Sequence, residues 1–308
     1  IQQGRVIQRD GPLLFCGIVS VLCGCSMRKF SNYPVSGKHG RPIVLDLAYQ
    51  ETGRPKPLVI FIHGYKGFKD WGVFGAMESE FLAAGFALLR FNFSHNGGTV
   101  EEPIDFPDLE AFGRNNYSIE LDDVQSVLDW VHLQHDIRSE VGADRIGLIG
   151  HSRGGALATL TAAADSRVCQ LVTWAAVSSL DRSMFHEGPE LDAWRKNGVL
   201  FVRNGRTQQD MPHFIQFYED YEMNRSRLDV ERAARGLQVP HLIVHGTGDV
   251  SVPFEHAEAL HAWNPASQLV GIPETDHVFG GKHPWASESL PAAFQSTLAA
   301  TIGFFESN

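Results

Sequence analysis

Apolar residues in this chain fall into short unbroken runs separated by longer segments with helical spacing. Residues 57–62, 86–93, 145–149, 168–177 and 239–245 are such runs, rich in Val, Ile, Leu and Phe, as strands covered on both faces of a parallel sheet should be. Residues 267–272 read as a last strand, and 42–50 alternate like an antiparallel leading strand. Residues 27–30 read as an ordinary start running into the first strand. Residues 71–84, stopped by Gly85, predict a helix, as do residues 155–164. Residues 117–135 predict another, with Ile119, Val124, Val127, Leu128 and Val131 on one stripe. This alternation predicts an α/β fold with a mostly parallel, doubly wound sheet. Residues 94–114, rich in Gly, Pro, Asp and Glu, predict a long surface loop. Residues 178–238 do not alternate and carry Trp194, Phe201, Phe214, Phe217, Tyr218 and Tyr221 among many charges. Asn204-Gly205 predicts a hairpin turn there and 212–223 an amphipathic helix, so this stretch reads as a small cap inserted before the penultimate strand.

Composition narrows the function. The chain has 308 residues, 43% of them hydrophobic, enough for one large domain over residues 27–308. A net charge of −10 with no basic cluster excludes a nucleic-acid partner. No metal motif stands out, since His132 and His135 lack a third ligand. Cys16, Cys23 and Cys25 lie near the N-terminus and leave Cys169 alone in the body, which predicts no disulfide framework and a cytoplasmic, reducing setting. The apolar run 13–22 is too short for a typical membrane span, so no stable membrane insertion is expected. Residues 1–26 read as an upstream read-through or dispensable extension. The alternative is a signal-like segment with Cys25 lipidated, because Leu22-Cys23-Gly24-Cys25 resembles a lipobox.

The chemistry is concentrated in Gly150-His151-Ser152-Arg153-Gly154, a G-x-S-x-G between a predicted strand and a predicted helix. A serine on that turn is pushed out of the sheet in a strained conformation, and the glycines are needed where a Cβ would collide. Serine is a poor nucleophile at neutral pH and needs a histidine base and an orienting acid. Asp249, after Gly246-Thr247-Gly248 at the mouth of the next-to-last strand, is the expected acid. His277, in the loop after the last strand, is the expected base. Asp276 is the rival acid, and His283 lies farther beyond the strand end. The run 57–62 leads into His63-Gly64-Tyr65-Lys66-Gly67, an H-G-x-x-G that resembles the oxyanion-hole loop of serine hydrolases, and the resemblance implies the amides of Tyr65 and Arg153 as the two donors. The Arg153 side chain is expected to pair with a nearby acidic residue and stiffen the turn. Alternatively it would clamp a substrate carboxylate, an idea that Lys66 and Lys69 also raise.

These four motifs, in this order, resemble the α/β-hydrolase superfamily, and within it the dienelactone-hydrolase, cinnamoyl-esterase and prolyl-oligopeptidase-like branch. The resemblance covers the chain from about residue 42 onward. It implies a Ser152–His277–Asp249 serine hydrolase without a cofactor, and leaves the substrate open. The elbow serine argues against dehalogenases and epoxide hydrolases, which usually carry aspartate there. It also departs from the dienelactone hydrolases themselves, which use cysteine. The expected activity is that of a carboxylesterase on small to medium acyl esters. A peptidase of the prolyl-oligopeptidase type, a thioesterase and a non-catalytic binding protein are the alternatives. Trp174, with His151, Trp194 and Tyr218, is expected to line the substrate pocket, unless these aromatics only glue the cap to the body.

Overall fold

The computed structural model describes residues 26–307. Apart from Ser26, the segment 1–26, and with it the alternative expectation of lipidation at Cys25, lies outside the described residues. The first half runs β1 (Met27–Ser36), β2 (Pro42–Gln50), β3 (Lys56–Ile62), α1 (Met77–Ala83), β4 (Ala87–Asn92), α2 (Leu109–Arg114) and α3 (Tyr117–Leu133). It continues through β5 (Val141–His151), α4 (Arg153–Ala164) and β6 (Val168–Trp174). Then come α5 (Pro189–Asn197), a hairpin of β7 (Val199–Arg203) and β8 (Asp210–Phe214), α6 (Gln216–Asn224) and α7 (Val230–Gly236). β9 (His241–Gly246), α8 (Glu255–Trp263), β10 (Gln268–Ile272) and α9 (Ala292–Ser307) follow.

Eight strands form one sheet in the order β1-β2-β4-β3-β5-β6-β9-β10. β2 pairs antiparallel with both β1 and β4, and every pair from β4 to β10 is parallel. The central strands carry uninterrupted apolar runs because both faces are covered. Val124, Val127 and Leu128 of α3 and Leu157 of α4 pack on one face. Phe81 of α1 and Phe294, Leu298 and Phe305 of α9 pack on the other. The N-terminus of α3 is capped by Asn116, whose side-chain oxygen accepts the Ile119 N–H at 2.8 Å. The loops that follow β3, β5, β9 and β10 share the carboxyl edge of the sheet, where ligands of open α/β sheets bind.

Two local expectations change. Residues 94–114 are not simply a surface loop: Ser94, His95 and Asn96 are buried, and the segment ends in α2. Its polar groups are satisfied internally, as where Asp123 Oδ2 accepts the Ser94 N–H at 2.7 Å. Phe106 and Phe112 pack with Phe68 and Met211 in a cluster of their own. Residues 210–214 form the second strand of the hairpin, and the predicted amphipathic helix starts only at Gln216.

Gly147 in β5 shows how closely α9 is seated, since a Cβ there would lie 2.5 Å from Phe305 Cε1. Phe305 is itself held against Phe81 and Phe86. Gly147→Ala is therefore expected to lower unfolding free energy by about 1–3 kcal/mol through overpacking. Adding Phe305→Leu should recover part of the loss. Urea denaturation of the two variants checks it, and an unperturbed Gly147→Ala would mean that the α9 contact is not tight.

Candidate active site

Ser152 sits between the last residue of β5 and the first of α4 with φ 57° and ψ −122°, a left-handed conformation that L residues adopt only under constraint. The close packing around it explains the glycines. A Cβ on Gly150 would meet the Gly154 carbonyl oxygen at 2.3 Å, and one on Gly154 would meet the Ile62 carbonyl oxygen at the same distance. The strained turn lifts the hydroxyl off the sheet, beside the N-terminus of a twelve-residue helix.

Asp249 and His277 come together from the loops after β9 and β10. His277 Nδ1 lies 2.7 Å from Asp249 Oδ2. The other carboxylate oxygen accepts the N–H groups of Ser251 and Val252 at 2.8 and 2.9 Å. Burial alone would raise the Asp249 pKa. Hydrogen bonds from His245, His277 and the Val252 amide, with attraction to His277, hold it well below the usual carboxylate range. The rival Asp276 is turned elsewhere, its Oδ1 accepting the Gly280 N–H at 2.8 Å. His283 Nδ1 accepts the Gly72 N–H at 2.9 Å.

His151 Nε2 donates to the His277 carbonyl oxygen at 2.9 Å, and the two rings lie 4.7 Å apart. Burial, and then repulsion from His277, lowers the His151 pKa to about 3, so this ring is a neutral strut. The loop after β3 presses on Ser152 from the other side. A Cβ on Gly64 would lie 2.8 Å from Ser152 Cβ, which brings the Tyr65 backbone to the serine. The Tyr65 phenol is 2.7 Å from His213 Nε2 in β8. Burial, then the cations Arg182, Arg153 and Lys66, lower the His213 pKa to about 3. The neutral ring and the phenol thus share a hydrogen bond.

Ser152 and His277 line two cavities. One, of about 240 Å³, has Trp71 and Phe74 in its wall and Asn204 and Arg206 at the cap side. The other, of about 670 Å³, runs past Tyr117, Arg153 and residues 179–183 to Ser251 and His256. Among the described residues, no group of three or more His, Cys, Asp or Glu is placed to hold a metal ion, and no helix is long and apolar enough to cross a membrane.

Residues 59–288 match the model of the alpha/beta hydrolase family. The chain belongs to that family. An uncharacterized 31.7 kDa protein from the traX-finO intergenic region of Escherichia coli is 30% identical over 71% of this chain and 82% of its own length. The 2,6-dihydropseudooxynicotine hydrolase of Paenarthrobacter nicotinovorans is 23% identical over 77% of this chain and 56% of its own length. Across the curated relatives it matches, the chain spans from 43% to 82% of their length. Among solved structures, Est1E from Butyrivibrio proteoclasticus shares the fold with a TM-score of 0.65 at 19% identity, covering 90% of this chain and 98% of that one. Dienelactone hydrolases of known structure share it as well.

Within this alpha/beta hydrolase, three of the residues expected to line the substrate pocket are elsewhere. Trp174 is wholly buried on the sheet face covered by α9, packs on Phe61 and Phe294, and donates its indole N–H to Thr301 Oγ1 at 2.9 Å. Strand alternation puts it there, away from the cavities. Trp194 is buried in the cap and donates to the His213 carbonyl oxygen at 2.8 Å, bracing the histidine that holds Tyr65. Tyr218 accepts a hydrogen bond from Arg195 on the outside of the cap. Only His151 borders a cavity. Arg153 pairs with Glu120, the nearest oxygen 2.7 Å away, and stacks near Tyr65. Glu120, Arg182, His213, Trp71 and Phe74 went unseen in the sequence, which marks none of them except by polar or aromatic type.

Burial pushes the Glu120 pKa up, and Arg153 is the largest force opposing that rise. Arg153→Met strands this carboxylate and is expected to cost about 3–5 kcal/mol at neutral pH. The folded pKa of Glu120, already above its unfolded value, then rises further. Such a group stabilises in its protonated form, and that contribution fades as pH rises. The deficit should accordingly be larger at pH 8 than at pH 5, and the pH dependence should shrink when Glu120→Gln is added. Urea titrations at both pH values read this out.

Proposed function

We propose that this hydrolase is a serine carboxylesterase acting on small to medium acyl esters through an acyl-enzyme. The observation that carries the reading is the 2.7 Å His277–Asp249 contact beside a serine strained onto the same cavities. Ser152 Oγ attacks the ester carbonyl while His277 Nε2 takes its proton. Asp249 fixes the Nδ1–H tautomer and stabilises the imidazolium that forms. The amides of Tyr65 and Arg153 receive the developing oxyanion, each such donor being worth about 3 kcal/mol of barrier. His277 then protonates the leaving alkoxide and activates the water that releases the acid. His151, through the His277 carbonyl, and His245, whose Nε2 is 2.8 Å from the Val252 carbonyl oxygen, hold the two catalytic loops in place. No step needs a cofactor.

Labelling by a fluorophosphonate probe is expected to mark the intact protein and to vanish in Ser152→Ala, whereas Ser94→Ala, whose hydroxyl is buried against His95, retains it. On a p-nitrophenyl ester, Asp249→Asn should lower kcat by roughly 10⁴-fold, because the histidine tautomer is no longer enforced. Labelling that survives in Ser152→Ala removes this reading.

A further inference from the structure

The larger cavity beside Ser152 holds a guanidinium that forms no ion pair with any carboxylate of the described residues. Two guanidinium groups reach it, and both lie 4.8 Å from the centre of the Tyr65 ring. Arg153 is neutralised by Glu120, which is itself buried. Arg182 has no carboxylate within ion-pair distance among the described residues. Its contacts are the Tyr65 ring and the Tyr117 phenol. The adjacent Asp181 is already engaged, one oxygen accepting the Arg182 amide N–H at 3.0 Å and the other lying 2.8 Å from His186 Nε2. Asp249, buried behind His277, is committed to that histidine and to the Ser251 and Val252 amides. A half-buried guanidinium whose side-chain hydrogen bond goes to the Tyr117 phenol keeps the rest of its fork of donors for an anion. Asp181 keeps its own negative charge at the cavity wall, so the unpaired guanidinium of Arg182 suits a monoanionic carboxylate better than a phosphate dianion. On the other side of Ser152, Trp71 and Phe74 offer the smaller cavity an aromatic wall.

We propose that the substrate is an ester whose one half bears a free carboxylate seated on Arg182, while its other half is apolar and packs against Trp71 and Phe74. The proposal rests on the esterase reading above and adds the class of ester. Arg182 acts as the specificity determinant, and Arg153 supports it by keeping Tyr65 and Glu120 in place.

The test uses two matched pairs of esters on the whole chain. In one, the carboxylate is on the acid half (p-nitrophenyl hydrogen glutarate against p-nitrophenyl valerate). In the other, it is on the alcohol half (3-butyryloxypropanoate against propyl butyrate). In at least one pair, the carboxylate ester should exceed its neutral partner about 10–100-fold in kcat/KM, as a charge-assisted hydrogen bond allows. Arg182→Met should bring that ratio close to one, and Arg182→Lys should keep part of it. Because the readout is a ratio within each variant, a general loss of folded protein does not mimic the result. Turnover of neutral esters with no carboxylate preference, or a preference that survives Arg182→Met, overturns the inference and leaves the esterase standing. Absence of turnover on all four esters, together with no fluorophosphonate labelling of Ser152, overturns both.

Discussion

The backbone of Ser152 is the constraint on which the carboxyl edge of this sheet depends. A left-handed non-glycine residue costs of order 1–3 kcal/mol, and the surroundings must over-determine it. Here its N–H donates to the Trp174 carbonyl oxygen at 2.9 Å, while its carbonyl oxygen accepts from Gly155 at 3.0 Å and from Val177 at 3.2 Å. Three elements therefore converge on one residue: the end of β5, the start of α4 and the chain leaving β6. The last of these continues directly into residues 179–183, so the strained turn also sets where Arg182 stands. The glycines at 150, 154 and 155 are the steric counterpart, because each occupies a place where a Cβ would strike a neighbouring atom at 2.3–2.4 Å.

Burial sorts the histidines around that turn. His63, His151 and His213 lose their charge to desolvation, with pKa values near 4, 3 and 3. They serve as neutral hydrogen-bonding struts to Gly64, His277 and Tyr65. His277 differs in kind: it reaches a carboxylate on one side and open cavity on the other. The positive charge around the proposed nucleophile therefore comes from lysine and arginine side chains, Lys66 and Arg206 at the smaller cavity and Arg153 and Arg182 at the larger.

What could be read from the sequence is what the backbone demands locally. The strand runs, the glycine spacing around Ser152 and the order Ser152, Asp249, His277 all reflect backbone requirements that leave a mark within a few residues. Nearness to the strand end says nothing about which face Trp174 occupies, and alternation puts it on the α9 side. Polar composition does not reveal that Asp123 and its neighbours satisfy the stretch 94–114 internally. Glu120 and His213 gain their roles only from partners 33 and 148 residues away along the chain. No local periodicity encodes such contacts.

Those long-range contacts make the cap part of the proposed oxyanion loop rather than a cover over it. His213 of β8 holds the Tyr65 phenol, the Arg203 carbonyl oxygen of β7 accepts from Lys66 Nζ at 3.0 Å, and Arg182 lies over the Tyr65 ring. Three cap residues thus fasten two adjacent residues whose backbone also faces Ser152. A proposed oxyanion donor works only if its amide is held where the charge will develop, and displacement by a fraction of a bond length weakens it. The same hairpin supplies Asn204 and Arg206 to the smaller cavity. Substrate fit and carbonyl activation therefore share one mechanical support, and changes in the cap must act on kcat together with KM.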